Sequence, residues 1–129
     1  MIGNGKDVRL LLVDDETGFA DVVCKRMSHR GVLATSASSG EEAVRLLREC
    51  EFDVAVVDLK LEGMSGIEIL KVFKLMVPAM PVVMLTGHGS GDARQACLEL
   101  GAACYLSKPV DFERLLVKIL WLGKGGKAA

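Results

Sequence analysis

The chain of 129 residues has four cysteines and no two of them at metal-ligand spacing. Cys24, Cys50, Cys97 and Cys104 form no CxxC, so neither a zinc ribbon nor a disulfide framework is indicated. Each lies in or beside an apolar stretch, and reduced cysteines filling core or near-core positions are the expectation. Charge of one sign is also lacking. The 16 basic and 17 acidic side chains leave a formal net charge of −1, which offers no bulk attraction to nucleic acid or an anionic membrane. No apolar run approaches the length that crosses a bilayer, so no membrane partner is expected. The opening residues Met1-Ile2-Gly3-Asn4-Gly5-Lys6 are short and polar, unlike a signal peptide, and the expected compartment is the cytoplasm. Internal repeats and low-complexity blocks are absent. No helix-turn-helix follows the domain and no basic, aromatic-bearing surface is apparent, so this chain itself is not expected to bind nucleic acid.

What the sequence does have is four apolar segments with polar endings. Val8–Val13 runs into Asp14-Asp15, and Asp53–Val57 runs into Asp58. Val82–Leu85 ends at Thr86, and Ala103–Leu106 ends at Ser107-Lys108-Pro109. If these are neighbouring parallel strands, three carboxylates, a hydroxyl and an ammonium meet at one edge. Open parallel α/β sheets bind their ligands in the crevice at the carboxyl ends of the strands. Clustered carboxylates repel one another unless a divalent cation or a cationic side chain balances them. The set therefore suits Mg²⁺ and a phosphoryl group.

Strand-like runs alternate with helical patterns, the signature of βαβ units and a parallel sheet. Phe19, Val22, Val23 and Met27 predict the buried stripe of a first helix, closed by Gly31. Val32–Ser36 is the weakest strand, and its polar end predicts a sheet edge. Ser39 is the expected N-cap of a second helix, with Glu41 and Glu42 in its first turn. A third helix should begin near Gly66, with Ile69, Phe73 and Met76 on one face, and Pro78 and Pro81 bracketing its exit. Ala93, Ala96, Cys97 and Leu100 give the fourth helix a small-residue stripe that stops at Gly101. Phe112, Leu115, Leu116, Ile119 and Leu120 line one face of a fifth, capped by Asp111. The whole chain, 1–129, reads as one domain, with an ordered core over about 7–122 and residues 123–129 as a flexible tail or the start of a linker.

These motifs, in order and each at a strand end, resemble the receiver domain of bacterial two-component response regulators. The matching pieces are Asp14-Asp15, the run Asp58-Leu59-Lys60-Leu61-Glu62-Gly63-Met64-Ser65-Gly66, Thr86-Gly87 and Lys108-Pro109. The resemblance implies a flavodoxin-like α/β fold, a doubly wound five-stranded parallel sheet of order 2-1-3-4-5 with five helices, the order of the family's chemotaxis member. It also implies that Asp58 is the phosphoacceptor, forming an aspartyl phosphate with a group taken from a histidine-kinase phosphohistidine. Independently, Asp58 ends the most continuous apolar strand, the expected sheet centre, and carboxylate nucleophiles are known in phosphoryl transfer.

By the same resemblance Asp15 is the direct Mg²⁺ ligand, Asp14 acts largely through a coordinated water, and Asp58 and the backbone carbonyl of Lys60 complete the protein's share. Lys108 pairs with Asp58 and later with a phosphoryl oxygen, and its peptide bond to Pro109 is cis in the family. Thr86 and Tyr105 are the implied switch pair: the Thr86 hydroxyl swings toward a phosphoryl oxygen and Tyr105 rotates into the vacated space. The implied partners are a sensor histidine kinase or phosphotransfer protein, and a downstream protein or effector domain reached through the fourth helix, fifth strand and fifth helix. A homodimer through that surface is a further reading, as Trp121 either caps the core or packs on a partner.

Some positions depart from the common pattern. Lys60 and His88 occupy the two positions that tune water's access to an aspartyl phosphate. Two basic side chains there imply a persistent phosphorylated state, or no effect if both point into solvent. Glu62-Gly63 stand where the family commonly has proline and a small or polar residue. The glycine-rich run Gly87-His88-Gly89-Ser90-Gly91 lacks both nucleotide-binding spacings and suits a segment that moves with Thr86. The reading is a signalling module, not an enzyme: it catalyses only its own phosphorylation and dephosphorylation. The alternatives are a phosphorylation-independent interaction module and an aspartate-nucleophile phosphatase.

Overall fold

In the computed structural model, which describes residues 7–87 and 91–127, strand and helix alternate strictly. Strand β1 (Val8–Val13) leads to α1 (Thr17–Ser28), β2 (Val32–Ala37) to α2 (Gly40–Glu49), and β3 (Val54–Asp58) to α3 (Gly66–Met76). Strand β4 (Val82–Thr86) precedes α4 (Gly91–Glu99), and β5 (Cys104–Ser107) precedes α5 (Phe112–Gly123). All pairings are parallel and the order is β2-β1-β3-β4-β5. The weak strand is indeed an edge, and β3 lies at the centre.

Helices cover both faces of the sheet, so the inner strands are apolar on consecutive residues rather than alternating. Leu10, Leu12, Val54, Val56, Val83 and Leu85 point to one face, where they meet Met27 of α1 and Leu115, Leu116 and Ile119 of α5. Their neighbours Leu11, Val13, Ala55, Val57, Val82 and Met84 point to the other, against Leu47, Ile69, Phe73 and Cys97. This period-two division of each strand between two cores fixes the register, because a slip of one residue would exchange the faces. Val13 stands beside Val57, Asp58 beside Leu85 and Thr86 beside Ser107. That register brings the polar strand endings to one edge.

Local signals set the helix limits. The Ser39 hydroxyl accepts from the Glu42 amide, and the Asp111 carboxylate accepts from the Arg114 amide. Ser65 and Glu68 form a reciprocal capping box at the start of α3, which satisfies two otherwise orphaned N–H groups. Gly66 is there for space rather than for backbone conformation. A Cβ on it would press on the Asp58 carbonyl oxygen and stand 2.6 Å from Leu59 Cα.

Two sequence readings need correction. Val22 is not in the α1 stripe but is largely exposed, and the buried residues are Ala20, Val23 and Met27. Val22 lies two residues, about 200° of helix, from Ala20 and so faces away. Cys50 is exposed rather than near-core, because it is the extended C-cap residue outside the α2 stripe. The described residues after the helix, through Lys127, close α5. The Gly125 amide donates to Leu122 O, the Gly126 amide to Trp121 O, and Gly125 takes φ +91°, the pattern of a glycine-terminated helix end. The Trp121 indole N–H donates to Lys127 O at 2.9 Å.

Candidate functional site

Strands β1, β3, β4 and β5 deliver Asp14, Asp58, Thr86 and Lys108 to the carboxyl edge of the sheet. Asp14 is held from both sides: its amide donates to Ala37 O, and its Oδ1 accepts from the Glu16 amide at 2.9 Å. Asp58 Oδ1 accepts from the Lys60 amide at 3.1 Å. Asp14, Asp58 and Thr86 are buried, the only polar residues so buried among those described. Two buried carboxylates side by side need compensation, and Lys108 supplies it. Its ammonium donates to Asp14 Oδ2 and Glu16 Oε1, both at 2.9 Å, and to Asp58 Oδ2 at 3.3 Å. Its charge also sits 4.5 Å from the centroid of the Phe19 ring, a distance at which the ring face attracts a cation. The Lys108 amide donates to Thr86 O, and the Lys108–Pro109 peptide is cis.

The ionisation states follow from these contacts. Burial pushes the Asp58 carboxyl above the ordinary carboxylate range, and the Asp14 charge adds to it; the Lys60 amide and Lys108 pull the other way without prevailing. For Lys108 burial alone would lower the pKa, but the hydrogen bonds to Asp14 and Glu16 and the charges of Asp14 and Asp58 hold the ammonium well above its usual value. The hydrogen bond from Lys108 holds exposed Glu16 below its ordinary range.

Asp14, Glu16 and Asp58 each bring a carboxylate oxygen within 4.8 Å of the others. Hard oxygen donors in this number fit a magnesium or calcium ion that keeps part of its water shell. The sequence points to Asp14 and Asp15 as the metal pair. The structure places Asp15 outside this convergent group, exposed, lining a groove of about 390 Å³ with Leu59, Lys60, Leu61, Glu62 and Ser65. Glu16 is the site residue that sequence reasoning misses. Its one signal is the uninterrupted acid run Asp14-Asp15-Glu16, of which only the first two match the family pattern. The Lys60 side chain is exposed while its amide serves Asp58. His88 lies outside the described residues.

Thr86 is buried at the end of β4. Tyr105 packs half-buried against the α3 and α4 side of the sheet. Its hydroxyl oxygen is buried with no hydrogen-bond partner among the described residues, and burial, followed by the neighbouring Cys97, raises its pKa.

A family model described as "Response regulator receiver domain" matches residues 10–120. The transcriptional regulatory protein GlrR of Escherichia coli K12 is 34% identical over 110 residues, covering 85% of this chain and 25% of that protein. The photosynthetic apparatus regulatory protein RegA of Cereibacter sphaeroides is 35% identical over 120 residues, covering 93% of this chain and 65% of RegA. The chain thus spans about a quarter of the length of GlrR. Among solved structures, a CheY-like receiver domain protein from Methanospirillum hungatei superposes with a TM-score of 0.84 at 32% identity, covering 88% of this chain and 90% of that one. A Burkholderia pseudomallei response regulator solved with a phosphorylated aspartic acid, calcium ion and citrate gives 0.83 at 28% identity, covering 88% of this chain and 66% of that one.

Proposed function

Because this chain belongs to the response regulator receiver domain family, we propose that it is a phosphoryl-accepting switch of a two-component phosphorelay, with Asp58 as acceptor. An Asp58 oxygen attacks phosphorus, the P–N bond of a kinase or phosphotransfer-protein phosphohistidine breaks, and the imidazole leaves with the electron pair. The observation that carries this reading is the division of labour at Asp58. One oxygen is held by the Lys60 amide and the other faces the Lys108 ammonium, so the carboxylate is oriented while positive charge waits where negative charge accumulates. The Burkholderia relative with its phosphorylated aspartic acid supports the same chemistry.

Asp14, Asp15, Asp58, Glu16 and the Lys60 carbonyl are the groups available to hold Mg²⁺, which when bound supplies charge neutralisation for phosphoryl oxygens. Lys108 transfers its hydrogen bond from Asp58 to a phosphoryl oxygen, and Thr86 turns its hydroxyl toward another. Tyr105 then repacks, and the α4/β5/α5 face reports the change to a downstream protein or effector domain. The module turns over no separate substrate; it catalyses its own phosphorylation and dephosphorylation. Among the described residues no helix is long and apolar enough to cross a membrane.

Incubation with acetyl phosphate or phosphoramidate and Mg²⁺ is expected to add one phosphoryl mass to the intact wild-type chain and none to Asp58→Asn. An equal yield in the variant would remove Asp58 as the acceptor. In EDTA the same variant should melt at a higher temperature than wild type near neutral pH. A carboxyl whose folded pKa is raised contributes stability only while protonated and loses it as pH rises through the folded value, so ionised Asp58 is a burden that asparagine lacks. The advantage should vanish below about pH 3.9, where the unfolded aspartate is protonated too.

Asp15→Ala is expected to weaken Mg²⁺ binding at least about tenfold, read by calorimetric titration, if Asp15 turns inward as a direct ligand. Unchanged affinity, with weakening in Glu16→Gln instead, would transfer that role to Glu16.

A further inference from the structure

Glu16 stands at the N-cap of α1, yet its side chain does not cap that helix. Ser39, Ser65 and Asp111 hold the same position on α2, α3 and α5, and each accepts from an amide of its own helix, the usual use of a polar N-cap side chain. The Glu16 backbone is fixed all the same. Its amide donates to Asp14 Oδ1 at 2.9 Å, and its carbonyl accepts from the Ala20 amide at 3.0 Å. From that anchored base the carboxylate turns away from α1 and accepts from the Lys108 ammonium at 2.9 Å, while the Glu16 side chain stays 64% exposed.

An ammonium has three N–H donors, and Asp14, Glu16 and Asp58 take all three. The bond to Asp58 is the longest, at 3.3 Å against 2.9 Å for the other two, so the short pair draws the ammonium off the acceptor. Serving a phosphoryl oxygen requires the ammonium to shift, and one of the short bonds must yield. Releasing Asp14 would leave a buried carboxylate without its cation, which is heavily penalised. Releasing Glu16 costs little, because water replaces the ammonium at an exposed carboxylate. We infer that Glu16 is a positioning residue that retains the Lys108 ammonium in the unphosphorylated chain and so slows phosphoryl transfer to Asp58. A bond made in the ground state and given up in the transition state raises the barrier. This control rests on Asp58 being the acceptor. It works through Lys108 and not on phosphorus or on a metal ion.

The test is the rate of phosphate uptake from acetyl phosphate at saturating Mg²⁺, followed by intact mass. Glu16→Gln is expected to take up phosphate about two- to fivefold faster than wild type, the range set by loss of one exposed ion pair. Glu16→Asp keeps the charge but is one methylene shorter, so its carboxylate falls short of Lys108. It should be as fast as Glu16→Gln and not restore the wild-type rate. In a Lys108→Ala background Glu16→Gln should change nothing, since a residue that acts through another loses its effect with it. In EDTA the side-chain nitrogen resonance of Lys108 should shift in both single variants while those of the other lysines stay in place. Unchanged or slower uptake by Glu16→Gln, a wild-type rate for Glu16→Asp, or an unmoved Lys108 resonance would overturn the inference. So would an acceleration that survives the loss of Lys108, which would make Glu16 act on the incoming anion directly. Each of these outcomes leaves Asp58 standing as the acceptor. A wild-type chain that takes up no phosphate removes the acceptor reading, and this inference falls with it.

Discussion

Lys108→Ala should separate two properties that usually fall together: phosphoryl transfer drops about a hundredfold while Mg²⁺ binds more tightly. The ammonium is the only cation among the described residues that contacts Asp14, Glu16 and Asp58. Its loss removes the donor that neutralises charge on the transferring phosphoryl group, and deleting one such donor costs about 10²–10³ in rate. It also leaves two buried carboxylates unpaired, which destabilises the metal-free fold by roughly 3 kcal/mol. A divalent cation is then the remaining way to balance them, so the acids bind it without competition. Urea unfolding in EDTA and in Mg²⁺, with calorimetric Mg²⁺ titration, reads all of this. A raised lysine pKa contributes stability fully below the unfolded value, about 10.4, and loses it only as pH rises through the folded value. The wild-type advantage should therefore be complete at neutral pH and shrink only in strong alkali. Equal or weaker Mg²⁺ binding by the variant would mean that Lys108 does not compete for these oxygens.

Gly66→Ala is the second large effect, and it acts through backbone rather than charge. Helix α3 starts directly beneath the end of β3, where the Gly66 amide donates to Leu59 O at 3.0 Å. The new methyl would collide with main-chain atoms of Asp58 and Leu59, which cannot swing aside as a side chain can. Overpacking of this kind costs about 1–3 kcal/mol, and relief must come from moving the segment that carries Asp58. Stability and phosphoryl transfer should therefore fall together, the latter out of proportion because a small misplacement of reacting atoms is costly. A variant that unfolds like wild type in urea would show that this close approach relaxes at no cost.

The fold was legible because the interior strands are largely apolar runs that end in aspartate, aspartate and threonine. The sequence alone places Asp58, Thr86 and Lys108 at one edge, since parallel strands all deliver their ends to the same side. What escaped was set by rotation and by side-chain reach. Val22 satisfied an i, i+3, i+4 pattern with its neighbours, yet Ala20, small and easily overlooked, marks the face that is buried. Glu16 was invisible as a site residue because its role arises from a contact 92 positions away, with Lys108.

The central claim, that Asp58 takes the phosphoryl group, is tested most directly by trapping the acyl phosphate with borohydride and locating the product by peptide mass spectrometry. Reduction converts an aspartyl phosphate to homoserine at the modified position. Homoserine at position 58, dependent on both phosphodonor and Mg²⁺ and found at no other aspartate, is the predicted result. Homoserine at Asp14 or Asp15, or an unreduced Asp58 in a chain that has gained phosphate, would contradict it.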